Sequence, residues 1–402
     1  MSASFPAIPA RSWNRLDGVD LLRGLAIFFV LMSHITIRLL GTDVSYSRYL
    51  PNLLIHFLVS NGQLGVQMFF VVSGFLITSI SLRRWSPLSR IRLRDFYILR
   101  FARIAPLLLA LLAILSAFHF VKIENFVVDE KIGGLPRALS AALTFQVNVF
   151  EARRGYLPAN WDILWSLSVE EMFYLFFPLV ALLLGRSKCF IALLLTFVAL
   201  GPFGRTVWAH GNEIWEEYCY LGGMEGIAFG CLTALFVSRI QFSRAAIRAL
   251  GFIGATVVSC NLVFPWPDYT NWLGRSGLNM TVLGIATALV IVATTQTQWR
   301  SPRLLTPLLR IGQYSYEVYL THMFVVWGFF ALFLKAGGSM RLAPAFFLIT
   351  IFVAGVLGFL ISRFYSEPLN RKLRNRFGDA SSTLCSALEP ASTSTLPTAD
   401  PS

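Results

Sequence analysis

Charged residues are scarce in this sequence. Asp, Glu, Lys and Arg make up 14% of the 402 residues, whereas apolar residues make up 55%. A soluble globular chain carries about 25% charged residues, which cover its water-facing surface. A soluble cytoplasmic enzyme is therefore excluded, and the mean hydropathy of +0.63 is that of an integral membrane protein.

Cysteine, histidine and the common nucleotide and hydrolase motifs are also sparse or missing. The chain has five cysteines without a C-x-x-C pair and five histidines without an H-E-x-x-H pair, so we expect neither a disulfide framework nor a metal site. G-x-G-x-x-G, Walker A, G-x-S-x-G and H-x-x-x-x-D are absent from the sequence, which disfavours an ATP-driven pump and a serine hydrolase. We expect no nucleic-acid partner.

What the chain does contain is a series of apolar runs, each of about 20 residues, the length that crosses a bilayer core of roughly 30 Å. They predict an all-α, polytopic bundle of about ten transmembrane helices, the first of them retained rather than cleaved as a signal sequence. The predicted spans are 20–40, 63–82, 105–121, 165–185, 189–206, 219–238, 247–264, 278–295, 313–334 and 344–365.

The distribution of basic residues predicts the orientation of these spans. With ten spans and a cytoplasmic N-terminus, the inner segments hold 21 of the 34 Lys and Arg residues, as the positive-inside rule requires. An eleventh span at 135–150 would place the later basic loops outside, so we interpret that stretch as re-entrant or interfacial. Both termini are then predicted to be cytoplasmic, in the plasma membrane.

The sequence divides into three parts. Residues 1–19 form a short cytoplasmic segment, residues 20–370 the membrane domain, and residues 379–402 a tail rich in Ser, Thr, Pro and Ala. The tail lacks hydrophobic periodicity, so we expect it to be disordered.

Polar residues inside membrane helices are costly and indicate function by default. Arg23 and His34 lie 11 residues apart in the first span. On an α-helix this spacing puts them on one face, roughly 16 Å apart. The two side chains could line a passage for an anionic ligand that carries a reactive group at one end. The alternative is a topogenic arginine and a structural histidine.

Seven arginines lie in 83–104, before and at the start of the third span. Arg100 and Arg103 are three residues apart and project together on a helix. Guanidinium groups grip phosphate in a bidentate manner, which suits a donor such as coenzyme A. The alternative, favoured for most of the seven, is that they fix topology or contact anionic lipid.

Two further helices carry polar faces. Ser166, Glu170 and Tyr174 follow at intervals of four residues in WSLSVEEMFYLFFP, where a carboxylate could orient an imidazole. In the span 313–334, His322 follows Tyr319 on one face. His322 is equally compatible with catalysis and with structural hydrogen bonding.

Glycines at 222, 226 and 230 form a double G-x-x-x-G and predict close packing of two helices. Glu225, in the same span, is an acid without an evident partner.

Taken in order, these stretches resemble the acyltransferase 3 family of membrane O-acyltransferases, which modify bacterial surface glycans and lipids. The resemblance covers about 20–370 and rests on five segments: Leu16–His34, Gly65–Thr78, Arg100–Pro106, Trp165–Pro178 and Gly312–His322. It implies that the residues essential for activity are Arg23, His34, Arg100, Arg103 and Glu170.

The resemblance implies transfer of an acyl group, expected to be acetyl, from cytoplasmic acyl-CoA to a hydroxyl of a glycan or lipid-linked acceptor. Arg23, Arg100 and Arg103 would hold the donor phosphates. His34, oriented by Glu170, would take the hydroxyl proton, and Ser166, Tyr174 or His322 would stabilise the oxyanion. The alternative function is a secondary transporter or flippase for a lipid-linked sugar, with His and Glu as a proton relay.

Overall fold

The computed structural model describes residues 16–40, 42, 44, 50–264 and 272–377. All the regular structure in these ranges is helical, and ten helices are long and apolar enough to cross a membrane. The predicted all-α class and the ten spans are confirmed. We number the ten helices α1 (Asp17–Leu39), α2 (Gly62–Arg84), α3 (Leu93–Phe120), α4 (Leu164–Leu184), α5 (Lys188–Arg205), α6 (Tyr220–Val237), α7 (Arg244–Val263), α8 (Leu278–Thr297), α9 (Ser315–Lys335) and α10 (Ala343–Ile361).

Short helices connect the spans. The stretch 135–150 does not form one long helix but parts of two, Gly134–Leu143 and Val147–Arg154. Neither approaches the roughly 20 residues that a span needs, so this stretch adds no eleventh crossing. Another short helix, Thr306–Gln313, packs against α1.

The helix that contains the predicted third span, 105–121, begins well before that span. The apolar run begins near residue 105, but α3 starts at Leu93 and already carries its arginines on helical turns. Hydropathy marks only the part of a helix that faces lipid, and α3 extends beyond that part. Arg100 and Arg103 therefore lie two to three turns inside α3 rather than at its beginning.

Close backbone contact between α2 and α6 forms the centre of the bundle. A Cβ at Gly230 would lie 2.0 Å from the carbonyl oxygen of Val71, and one at Gly74 would lie 2.0 Å from that of Ile227. Only glycine allows two helices to approach this closely. The predicted role of the G-x-x-x-G pattern in helix packing is confirmed.

Helices α1, α3 and α9 run in the same direction. Arg23, Arg103 and Tyr316, all towards the starts of these helices, line one cavity. Residues at or beyond their ends, among them Arg38 and Glu124, line a second cavity. The shared direction places the two cavities at opposite ends of one helical group.

The first 15 residues and the predicted disordered tail at 379–402 lie outside the described residues. Cys385 lies there as well, and the four described cysteines are free thiols.

Candidate active site

A cavity of about 170 Å³ lies among α1, α2, α3, α4 and α9. Six of the eight residues predicted to form the site line it, although they are spread over 152 positions of sequence from Arg23 to Tyr174. The six are Arg23, Arg100, Arg103, Ser166, Glu170 and Tyr174. The structure thus brings together the basic residues of two helices and the polar face of a third.

We call this cavity the donor cavity. One of its walls is cationic. The guanidinium carbon of Arg100 lies 4.8 Å from the ring centre of Tyr174. Arg23 forms an ion pair with Asp20 at 3.4 Å, one turn away on α1. These groups leave guanidinium N–H donors facing the cavity, where they suit an anionic ligand.

Arg103 differs from Arg100 because a buried carboxylate holds it. Its Nη1 and Nη2 donate to the two oxygens of Glu317 at 2.7 and 3.3 Å. Glu317 is fully buried on α9, and Arg103 is partly exposed. The sequence analysis missed Glu317, although an acid in a membrane helix is itself a signal of function.

Carboxyl and hydroxyl groups line the cavity beside these guanidinium groups. The Ser73 hydroxyl of α2 hydrogen-bonds the Tyr174 hydroxyl, and the Glu170 carboxylate lines the same cavity. Ser166 lies 2.6 Å from the Tyr319 hydroxyl, so α4 and α9 are joined at this level. Ser73 was not singled out from the sequence, because its role depends on contacts with a helix about 100 residues away.

His34 and His322 form a pair just beyond Tyr319. Their ring centres are 5.0 Å apart, and His322 Nε2 lies 3.4 Å from His34 Nδ1. The rings of Tyr319 and His322 are 5.8 Å apart. The imidazole of His34 therefore faces the interior of the bundle, but neither histidine lines the donor cavity.

The backbone contacts of the pair define the protonation of each ring. His322 Nδ1 lies 2.6 Å from the Tyr319 carbonyl oxygen, and His34 Nδ1 lies 2.9 Å from that of Val30. A carbonyl oxygen only accepts, so both Nδ1 atoms carry hydrogen. In the neutral pair, His34 Nε2 is then the atom with a free lone pair, which is what a general base requires.

The expected orientation of His34 by Glu170 does not occur. Glu170 lines the donor cavity together with Arg23 and Arg100, whereas the side chain in contact with His34 is His322. Glu170 belongs to the cationic end of the site and His322 to the imidazole end.

Glu225, which lacked a partner in sequence, has two. Arg205 of α5 donates to one of its oxygens, and the Thr281 hydroxyl of α8 donates to the other at 2.5 Å. Both charged groups are buried and away from the donor cavity. This pair joins α5, α6 and α8 and serves the packing of the bundle.

Among the described side chains, no group of three or more His, Cys, Asp and Glu is placed to hold a metal ion. The chemistry that the site can offer is therefore sought in guanidinium, imidazole, carboxyl and hydroxyl groups.

Comparison with known proteins gives one family and several relatives. A family model described as an acyltransferase domain matches residues 16–375. O-acetyltransferase OatA from Staphylococcus aureus strains NCTC 8325 / PS 47 and COL is in each case 26% identical over 382 residues, covering 89% of this chain. The chain spans 57% of the length of these relatives. No solved structure matches the chain.

Proposed function

The chain belongs to the acyltransferase family, and from this premise we propose that it transfers an acetyl group from acetyl-CoA to a hydroxyl of a glycan or lipid-linked sugar. The observation that carries the proposal is the geometry of one site, in which guanidinium groups and a histidine pair lie on either side of a hydroxyl-lined cavity. The acetyl group follows the name of the relatives, O-acetyltransferase.

The cationic end of the site would bind the acetyl donor. The donor cavity, at about 170 Å³, is below the roughly 300 Å³ of pockets that enclose a whole small-molecule ligand. The thioester end of the donor would enter it, while the phosphates remain at the mouth near Arg23 and Arg100. The positive-inside rule puts this mouth on the cytoplasmic side, where acetyl-CoA is available.

The histidine pair supplies the base. His34 Nε2 takes the proton of the acceptor hydroxyl as the oxygen attacks the thioester carbonyl, and His322 holds the His34 ring in position. The C–O bond forms, the C–S bond breaks, and the imidazolium returns its proton to the departing thiolate. The step written here is direct transfer. An acetyl-imidazole intermediate on His34 would divide it in two, with a C–N bond replacing the C–S bond and then a C–O bond replacing the C–N bond, and would need a base other than His34 for the hydroxyl proton.

Hydroxyl groups stabilise the charge that develops on the carbonyl oxygen. Ser166 and Tyr319, 2.6 Å apart, face the cavity next to the histidine pair. To donate to the oxyanion, each hydroxyl would have to leave its present bond to the Ile163 carbonyl oxygen. A donor to the oxyanion contributes about 3 kcal/mol to stabilisation of the transition state. Because Tyr319 lies between the cavity and the histidines, its ring must turn for His34 to reach the thioester.

The test uses the purified protein, reconstituted in lipid, with radiolabelled acetyl-CoA and deacetylated envelope glycan from a strain lacking the gene. We expect ester-linked label in the glycan. His34→Ala should reduce the rate by about 10²- to 10⁴-fold, the usual contribution of general base catalysis. The matched control is His210→Asn, an exposed histidine with a backbone φ of +51° that Asn tolerates.

Two outcomes would contradict the proposal. Absence of label with the wild-type protein would overturn the assignment of acetyl transfer. A fully active His34→Ala protein would remove His34 from the mechanism.

A further inference from the structure

A second cavity, of about 460 Å³, opens at the other end of α1 and α9. Its wall includes Arg38 from α1, Trp327 and Phe330 from α9, and Glu124 and Asn125 from the segment after α3. Nothing in the proposed chemistry of the donor cavity uses these residues. The volume lies in the range of pockets that hold small organic ligands.

The histidine pair lies between the two cavities. Along α1, His34 is four residues before Arg38, about 6 Å of rise. Along α9, His322 follows Tyr319 by three residues and precedes Trp327 by five. Tyr319 lines the donor cavity and Trp327 the second one. A base at this level is within reach of a ligand on either side.

Two hydrogen-bond donors at the second cavity lack acceptors. Arg38 Nε and Trp327 Nε1 are buried and have no hydrogen-bond partner among the described residues. The Arg38 guanidinium carbon lies 4.5 Å from the Trp327 ring centre, so both donors belong to one surface. A buried donor without an acceptor costs about 1–3 kcal/mol. A ligand oxygen would recover this cost if the Arg38 and Trp327 side chains turn these donors towards the cavity on binding.

The chemistry of this wall fits a sugar. Arg38 and Trp327 offer only donors, which require oxygen acceptors on the ligand. Glu124 offers a carboxylate that accepts from hydroxyl groups, and the aromatic rings of Trp327 and Phe330 offer apolar faces. A fatty acyl chain would leave the two buried donors unpaired, whereas a sugar ring presents both hydroxyl oxygens and an apolar face.

From these observations we infer that the second cavity is the acceptor subsite and holds a sugar residue of the glycan. Hydroxyl oxygens of the sugar accept from Arg38 and Trp327, and the hydroxyl to be acetylated points along α1 and α9 towards His34. This inference rests on the proposed function. It places the two substrates on opposite sides of one imidazole pair.

The experiment measures KM for each substrate separately in the assay described above. In Arg38→Gln, KM for the deacetylated glycan should rise about tenfold or more, as expected for loss of hydrogen bonds from a charged donor. Trp327→Phe keeps the ring and removes one donor, and should raise the same KM by about fivefold. KM for acetyl-CoA should stay unchanged in both variants.

Two controls make the result specific. Arg100→Gln, at the donor cavity, should show the reverse pattern, with KM raised for acetyl-CoA and unchanged for glycan. Arg341→Gln removes an exposed arginine just beyond the same end of α9 and should change neither KM. Thermal unfolding of each purified variant identifies any that fails to fold. If Arg38→Gln fails, Arg38→Lys replaces it, because lysine retains the positive charge but lacks the paired N–H donors of the guanidinium group.

Unchanged glycan KM in both Arg38→Gln and Trp327→Phe would overturn the inference, as would an equal rise in the two KM values. Either result leaves acetyl transfer by the wild-type protein intact. Absence of transfer by the wild-type protein instead contradicts the proposed function, so the two failures are distinguishable.

Discussion

At the scale of single residues, Arg100 and Arg103 have different surroundings although they are three positions apart on α3. Arg100 lies over the Tyr174 ring and has no carboxylate of the described chain within ion-pair distance. Arg103 is fixed by both oxygens of the buried Glu317. Because its guanidinium group is engaged in this way, Arg103 is less available to bind phosphate. Loss of Arg103 leaves the buried charge of Glu317 without a partner.

Replacing each arginine should therefore affect stability unequally. Removing one partner of a buried ion pair costs about 3–5 kcal/mol, so we expect Arg103→Gln to be destabilised by about 3 kcal/mol, given that Arg103 is partly exposed. Arg100→Gln should unfold within about 1 kcal/mol of the wild type. Denaturant unfolding of the purified variants measures both values.

The double variant Arg103→Gln with Glu317→Gln provides the control. It removes both charges, so it should recover most of the stability lost in Arg103→Gln. If the double variant is as unstable as Arg103→Gln, the ion pair is not the cause.

The sequence identified the residues that line the donor cavity better than it identified the residues that contact them. Arg23 and Glu170 stand out because charged groups in apolar runs are conspicuous. Glu317 carried the same signal but was overlooked, and its partner Arg103 lies 214 positions away in sequence. Ser73 acts through a contact with a helix far away in sequence, which no local pattern reveals. For the same reason the sequence assigned Glu170 to orient His34, whereas the contact is made by His322.

At the scale of elements, the helices follow from hydropathy, because in lipid every backbone group must be bonded within its own helix. Hydropathy does not detect helix ends that project beyond the apolar core, such as the start of α3 at Leu93. Glycine spacing predicted the close contact of α6 but could not identify α2 as its partner, since the contact depends on how the chain folds back.

The contact between α2 and α6 yields a stability prediction. In Gly230→Ala the new Cβ would meet the Val71 carbonyl oxygen, so we expect destabilisation of at least 1–3 kcal/mol, the usual cost of overpacking. The matched control is Gly328→Ala in α9, where a Cβ would have open space. That variant should gain stability, by up to about 1 kcal/mol, from helix propensity. Thermal unfolding in detergent distinguishes the two, and equal stability would contradict the packing argument.

At the scale of the whole molecule, ten helices of the described residues are long and apolar enough to cross a membrane. If all ten cross, we expect both ends of the domain on the same side, because the number of crossings is even. The basic segments favour the cytoplasm as that side. The orientation is a prediction from the distribution of charge.

Reporter fusions test this orientation. A fluorescent protein that folds only in the cytoplasm, fused after Ser402, should be fluorescent, and alkaline phosphatase at the same place should be inactive. Alkaline phosphatase fused after Lys122, beyond three spans, should be active as the control. The reverse pattern would place the mouth of the donor cavity outside, away from acetyl-CoA.

The packed layer formed by Tyr319, His322 and His34 has a consequence for the cell that contains this protein. A passage open from one face to the other would dissipate ion gradients and let metabolites escape. Here the rings of Tyr319, His322 and His34 lie between the two cavities. Under the proposed function, an acetyl group would move a few ångströms past these rings while coenzyme A and the sugar each stay on their own side, and the bilayer would remain sealed.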